Sequence, residues 1–318
     1  MNHTHSAFSR IRLIFLALIC TALSSATLAQ VELLGSTGGN SANPGSIFSI
    51  DSGTAATTLL DTPYNGTGLP GIAMSPDGRL FAVASVNNGT VDSGQLLELD
   101  PSTGALISVI GDLFDSSGNG CAFMDISFHP ATGVLYALAA NHSSIGTRCG
   151  VGGGTGGYLA TINTSTAVYT IVGRDASLDN DAGGIAFAPD GTLYFAASWD
   201  TPGTLYTLDL NDGSITSSTN LSEMIGPIGM VWHPTDNLLY AGYDRENSNE
   251  SIFTIDPATG SVTTVGATTG ESIHGLAVRG QPVPPAPAIA VPMNSWQAMA
   301  LMALLLAMAG GLVLVRRS

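Results

Sequence analysis

The chain is 318 residues long, with 39 glycines, 44% hydrophobic residues, only 10% charged residues and a formal net charge of −15. All of its basic charge comes from nine arginines, since the sequence holds no lysine. This length can bury a sizeable core, and the chain is too apolar for acidic disorder. Glycine lacks the period of collagen, and the acid excess speaks against nucleic acid, which needs clustered Lys and Arg.

Residues 1–29 read as a secretory signal. Arg10 and Arg12 flank the apolar run Ile11 to Cys20, and Thr27, Leu28 and Ala29 form a small-x-small cleavage site before Gln30. The body, 30–280, then carries all 24 acids against five arginines, which leaves it at −19.

Within the body one phrase recurs: Gly71-Ile-Ala-Met-Ser-Pro-Asp-Gly-Arg-Leu-Phe81, then copies opening at Asp125, Gly184 and Gly229, and a truncated copy, Gly275-Leu-Ala-Val278. The starts are spaced by 54, 59, 45 and 46 residues, the range of solenoids and propellers. A second phrase alternates with it: Ser46-Ile-Phe-Ser-Ile-Asp51, Gln95-Leu-Leu-Glu-Leu-Asp100, Tyr158-Leu-Ala-Thr-Ile-Asn163, Thr204-Leu-Tyr-Thr-Leu-Asp209 and Ser251-Ile-Phe-Thr-Ile-Asp256. Gly-, Asn- and Pro-containing turns separate short β-prone runs, and no sustained helical period interrupts them. Each unit supplies four strands, a to d, which predicts an all-β propeller of four-stranded antiparallel blades. Five blades are expected, six being the alternative. Strand a at 275–279 pairs with strands from 31–60 to close the ring and hide its edges. The repeats resemble the bacterial YVTN, NHL and SMP-30/gluconolactonase-like propellers, a likeness over about 250 residues that implies architecture and leaves activity open.

Strand order puts the tight a–b and c–d turns on one face and the longer b–c and d–a loops on the other, where binding is expected. Cys121 and Cys149 fall on that loop face. In an exported chain they predict a disulfide, with metal ligation the alternative. His129 and His233 hold one repeat position and read as turn-capping residues rather than a metal pair; His142 and His274 are single loop-face histidines. Asp179-Asn-Asp181, near Asp175 and Gly183, is the best calcium candidate, although it lacks the further ligands of an EF-hand; a metal-free Asx loop is the alternative. Asp125 is a third candidate ligand, because it stands where the other blades open strand a with glycine; Asp112, Asp115 and Asn119 precede it. Met74, Phe128, Phe187, Trp232 and Val278 share one strand-a position and predict interblade packing.

At the C-terminus, 281–295 form a Pro-rich spacer, and Trp296 to Val315 is an apolar run long enough to span a bilayer, followed by Arg316 and Arg317. The arrangement resembles bacterial C-terminal tails processed by exosortases, nearest the IPTL-CTERM type, on Val291, Pro292, Ser295, Trp296, Arg316 and Arg317. Met293 and Asn294 replace the Thr-Leu of that pattern. A plain single-span anchor is the alternative, and both readings place the body outside the inner membrane, at the cell surface or released. The implied partners are an exosortase-type enzyme, the inner membrane before processing and an extracellular ligand.

Two functions then compete. One is a non-enzymatic binding module. The other is a metal-dependent lactonase or esterase of the SMP-30 type, whose sites gather Glu, Asn and Asp on channel-facing strand ends. With Asp125 alone among glycines at those ends, the sequence favours the first and calls for no organic cofactor.

Overall fold

The alternating phrases become alternating strands. The computed structural model describes residues 31–280, apart from 40, 65–66, 86–93, 140–148, 150–157, 176–182, 198–202, 224–225, 244–249 and 269. The expected signal, spacer, sorting motif and apolar tail lie outside these described residues. Blade 1 contributes β1 (Glu32–Thr37), β2 (Ile47–Ile50) and β3 (Thr57–Asp61). Blade 2 is β4 (Gly71–Met74), β5 (Leu80–Ser85), β6 (Gly94–Leu99) and β7 (Leu106–Asp112). Blade 3 is β8 (Phe123–Phe128), β9 (Leu135–Ala139), β10 (Tyr158–Ile162) and β11 (Tyr169–Gly173). Blade 4 is β12 (Gly183–Phe187), β13 (Leu193–Ala197), β14 (Thr204–Leu208) and β15 (Ile215–Asn220). Blade 5 is β16 (Pro227–His233), β17 (Leu238–Tyr243), β18 (Ser251–Ile255) and β19 (Val262–Ala267), and β20 (Ile273–Arg279) returns to blade 1. All five sheets are four-stranded and antiparallel, and the ring closes through β20 against β1, from Glu32 opposite Arg279 to Thr37 opposite Ile273.

Turn chemistry sets the hairpins. Each c–d turn is held by the Asp or Asn that ends the strand-c phrase. Asp51 accepts from the amides of Gly53 and Thr54, Asp100 from Ser102 and Thr103, Asn163 from Ser165, Asp209 from Asn211 and Asp256 from Ala258. These repeated acids are therefore turn residues. In the a–b turns Gly78, Gly133 and Gly191 take positive φ, and in blade 5 Asn237 does so at φ 55°.

The core is divided among the blade junctions. Five buried apolar clusters fill the five gaps, each drawing on two neighbouring blades. A strand-b aromatic leans on the strand-a aromatic of the next blade. Phe81 meets Phe128 at 5.4 Å, Tyr136 meets Phe187 at 5.3 Å and Tyr194 meets Trp232 at 6.4 Å between ring centres. The shared strand-a position is interblade packing, as its residues predict.

Candidate functional site

The propeller axis is the first place to look for chemistry, because the five strand-a segments converge there. Their opening residues form a ring: Gly71, Asp125, Gly184, Gly229 and Gly275. A Cβ on Gly229 would stand 1.8 Å from the His274 carbonyl oxygen, one on Gly184 2.8 Å from the Gly229 carbonyl carbon, and one on Gly275 2.8 Å from Gly71 Cα. A Cβ on Gly71 would stand 2.8 Å from Asp125 Cα, so backbone presses on backbone around the axis. Glycine is required here for close approach. Three of the strands reach this ring through a register shift just before it, between Phe123 and Asp125, between Pro227 and Gly229, and between Ile273 and Gly275.

Asp125 faces this axis, as its replacement of glycine suggests, and is wholly buried in it. Its Oδ1 accepts from the Ile126 amide at 2.9 Å, and its Oδ2 from the amides of Ile185 at 2.8 Å and Met230 at 3.1 Å. Each donor is the residue just after the ring position in blades 3, 4 and 5. One carboxylate thus ties three inner strands whose amides no neighbouring strand satisfies. Burial pushes its carboxyl well above the usual carboxylate range, against the downward pull of the three amides. With its lone pairs turned to amides, and with glycine at the other four ring positions, the axis gathers no ligand shell around it. Among the described residues no group of three or more His, Cys, Asp or Glu is placed to hold a metal.

The other sequence candidates separate. Asp179, Asp181 and His142 lie outside the described residues. Asp175 accepts from the Ile215 amide at 3.0 Å, joining the d–a loop of blade 3 to β15. Asp112 accepts from the Gln95 side-chain amide nitrogen Nε2, and Asp115 organises its own turn by accepting from the Ser117 and Asn119 amides. Cys121 and Cys149 are joined as a disulfide, which ties the loop after β9 to the approach to β8. His129 caps its turn through Nδ1, which accepts from the amides of Ala131 and Thr132, both at 3.2 Å. His233 departs from that reading. It is buried, its ring lies 4.9 Å from Tyr240, and its Nδ1 is 3.0 Å from Asp236 Oδ2 but poorly aligned for a hydrogen bond. Asp236 Oδ2 instead accepts from the Tyr240 hydroxyl at 2.7 Å. Asp236 stands where blade 3 has Thr132, so blade 5 sets a carboxylate beside the imidazole.

A polar knot on the loop face escapes sequence reasoning. Glu271 is buried and accepts from Ser41 Oγ at 2.6 Å and from the side-chain amide of Asn43, while the Ser272 amide donates to Ser41 Oγ at 3.2 Å. It binds the b–c loop of blade 1 to the d–a loop that precedes β20. Beside it His274 Nε2 and Ser272 Oγ are 3.1 Å apart, a spacing that suits an activated nucleophile. Ser272 is only 1% exposed, so its hydroxyl has no path to a substrate. Neither residue belongs to a repeated phrase, and the contacts span about 230 positions, so no local signal announces them.

A family model described as a repeat of unknown function (DUF6923) matches residues 120–277. Among curated proteins none matches the sequence. Among solved structures the chain is similar to TolB from Acinetobacter baumannii, at 14% identity over 77% of this chain and 55% of that one, with a TM-score of 0.43. It is also similar to a protein of unknown function from Bacteroides caccae, at 14% identity, 78% and 98% coverage and TM-score 0.47. A third similar structure is a gluconolactonase from Xanthomonas campestris, at 14% identity, 78% and 83% coverage and TM-score 0.45. The chain spans just over half the length of TolB.

Proposed function

We propose that this protein is an exported β-propeller, carried at or released from the cell envelope through its C-terminal tail, that acts as a non-enzymatic binding module. The observation that supports this most is the closed axis. A hydrolase of the SMP-30 type needs several carboxylate and amide ligands converging on one cation; here four glycines and one amide-bound carboxylate occupy the equivalent strand openings.

The seam supports the choice of binding face. Strand β1 begins and β20 ends side by side, with Arg279 paired to Glu32 and reaching the Pro101 carbonyl in a c–d turn. The described chain therefore enters and leaves the propeller on the turn face, opposite the loop face. The ligand on that face is extracellular, and the acid excess disfavours polyanions as its chemistry.

Export is tested on the protein recovered from its host under thiol-blocking conditions. The account expects a mature N-terminus at Gln30, a shortened C-terminus, and Cys121 and Cys149 protected as a disulfide. A chain that keeps Met1, stays in the cytoplasm and carries two free thiols would contradict it.

A further inference from the structure

Blades 2 to 5 do not open their a–b turns with the same side chain. Blade 3 places His129 at the first residue of its a–b turn, and the imidazole lies tilted against the Phe187 ring of blade 4, 5.0 Å between centres. Blade 5 places His233 there, packed on Tyr240. Blade 4 has the small Ala188, with Tyr194 and Trp232 stacked at its junction with blade 5 as Phe81 and Phe128 are paired between blades 2 and 3. Blade 2 has Ser75, whose hydroxyl turns inward to Asp77 and to the Arg79 backbone. Where blades 3 and 5 carry an imidazole at this turn position, blade 2 carries Ser75, and a cleft of about 360 Å³ opens between its turn and that of blade 3.

The cleft runs between the turns 75–79 and 129–134, with Thr164 at one end and the Phe81–Phe128 pair as its floor. Its chemistry is mixed. Pro76 and Pro130 give apolar walls, Thr132 and Thr164 give hydroxyls, and Asp77 gives an exposed carboxylate. The Arg79 guanidinium lies 4.7 Å from the centre of the Phe81 ring and donates through Nε and Nη2 to both oxygens of Glu98, at 2.8 and 2.7 Å. That fork neutralises the arginine yet leaves its Nη1 edge uncommitted to Glu98. An anionic ligand gains little from a guanidinium already paired and meets Asp77. A proline-rich peptide needs open aromatic rings, whereas Phe81 lies beneath Arg79. A neutral ligand rich in hydroxyl groups matches the alternating donors and acceptors between two apolar walls.

We propose that this cleft is a second binding site, distinct from the loop face, for a sugar unit of a neutral polysaccharide. Asp77 accepts from its hydroxyls, Arg79 and the two threonines complete the polar contacts, and the proline rings pack on its apolar faces.

The test is native electrophoresis of the full chain in mild detergent, through gels containing dextran, galactomannan, hydroxyethylcellulose or xylan, with alginate as the anionic comparison. Mobility falls about twofold when the polymer's sites reach the Kd, and the proposal expects such retardation in at least one neutral gel. Ser75→His would fill the cleft with the ring that blades 3 and 5 already carry, and Asp77→Asn would weaken its acceptor. Both are expected to restore free mobility while urea unfolding of each variant stays cooperative. Thr132→Ala, which removes a 3.5 Å bond from the Val134 amide but keeps the turn's backbone–backbone bonds, provides a third variant should either of these fail to fold, and it is expected to reduce the retardation. No retardation in any neutral gel, retardation by alginate alone, or retardation unchanged in the folded variants would overturn the proposal.

Discussion

Asp125 shows at the scale of a single residue how the repeat was broken to good effect. Replacing it with alanine strips the acceptor from three amides that sit in the dry axis, and each such loss costs about 1–3 kcal/mol. Asp125→Ala is thus expected to lower unfolding free energy in urea by at least about 3 kcal/mol. The pH dependence has a defined sign. Its carboxyl is raised above the unfolded value, so its contribution is fullest below the usual Asp pKa and declines as pH rises towards the folded pKa. The loss caused by Asp125→Ala should therefore be larger at pH 4 than at pH 8. A neighbouring test is Gly229→Ala, whose methyl group would collide with the His274 carbonyl; it is expected to destabilise by several kcal/mol, about the cost of a forced backbone shift in a packed core. The sequence marks Asp125 as odd because it interrupts a row of glycines. The three amides that meet it come from residues up to 105 positions away, and only closure of the ring brings them together.

At the scale of elements, the hairpins and their turns are legible because their causes are local. The Asp that ends each strand-c phrase reaches amides two or three residues on, so a short window contains the whole interaction. The histidines show a local cause acting against the repeat. His129 and His233 occupy one repeat position, yet the first caps a turn and the second sits beside Asp236 and Tyr240 of its own blade, because Asp236 stands where blade 3 has Thr132. Tyr240 also approaches the Ser52 carbonyl of blade 1, so this cluster belongs to the closing seam. Burial pulls the His233 pKa below its ordinary value, against Asp236. A histidine with a lowered folded pKa contributes stability that is fully present above the unfolded pKa and is lost as pH falls. Melting temperature should accordingly drop on acidification below about pH 6.5, and His233→Gln should flatten that drop. The disulfide is a second element-scale device. Cys121→Ser with Cys149→Ser is expected to cost about 2–4 kcal/mol and to make the loop after β9 the first site of proteolysis.

At the scale of the whole molecule, five blades are the simplest solution to a truncated last copy and a missing first strand, and the pairing of β20 with β1 decides for five over six. The location of binding does not follow so directly. The loop face is chosen by chain connectivity, whereas the cleft at Ser75 appears only when the turn of blade 2 is set against those of blades 3, 4 and 5. Removing β20 should unmake the ring rather than loosen it: with Ile273–Arg279 absent, β1 becomes a bare inner edge, and aggregation is expected in place of cooperative unfolding. All 24 acids lie between Glu32 and Glu271, a charge excess that favours solubility of the propeller body.

The central claim, a closed-axis propeller that binds without catalysing, meets its most direct test in one measurement on the purified full chain. Metal content and hydrolysis of lactone and ester substrates are followed in the same samples, for the native protein and for Asp125→Ala. The account predicts no stoichiometric metal and no turnover above background in either. One bound divalent cation per chain, together with hydrolysis abolished by Asp125→Ala in a variant that still folds, would contradict it.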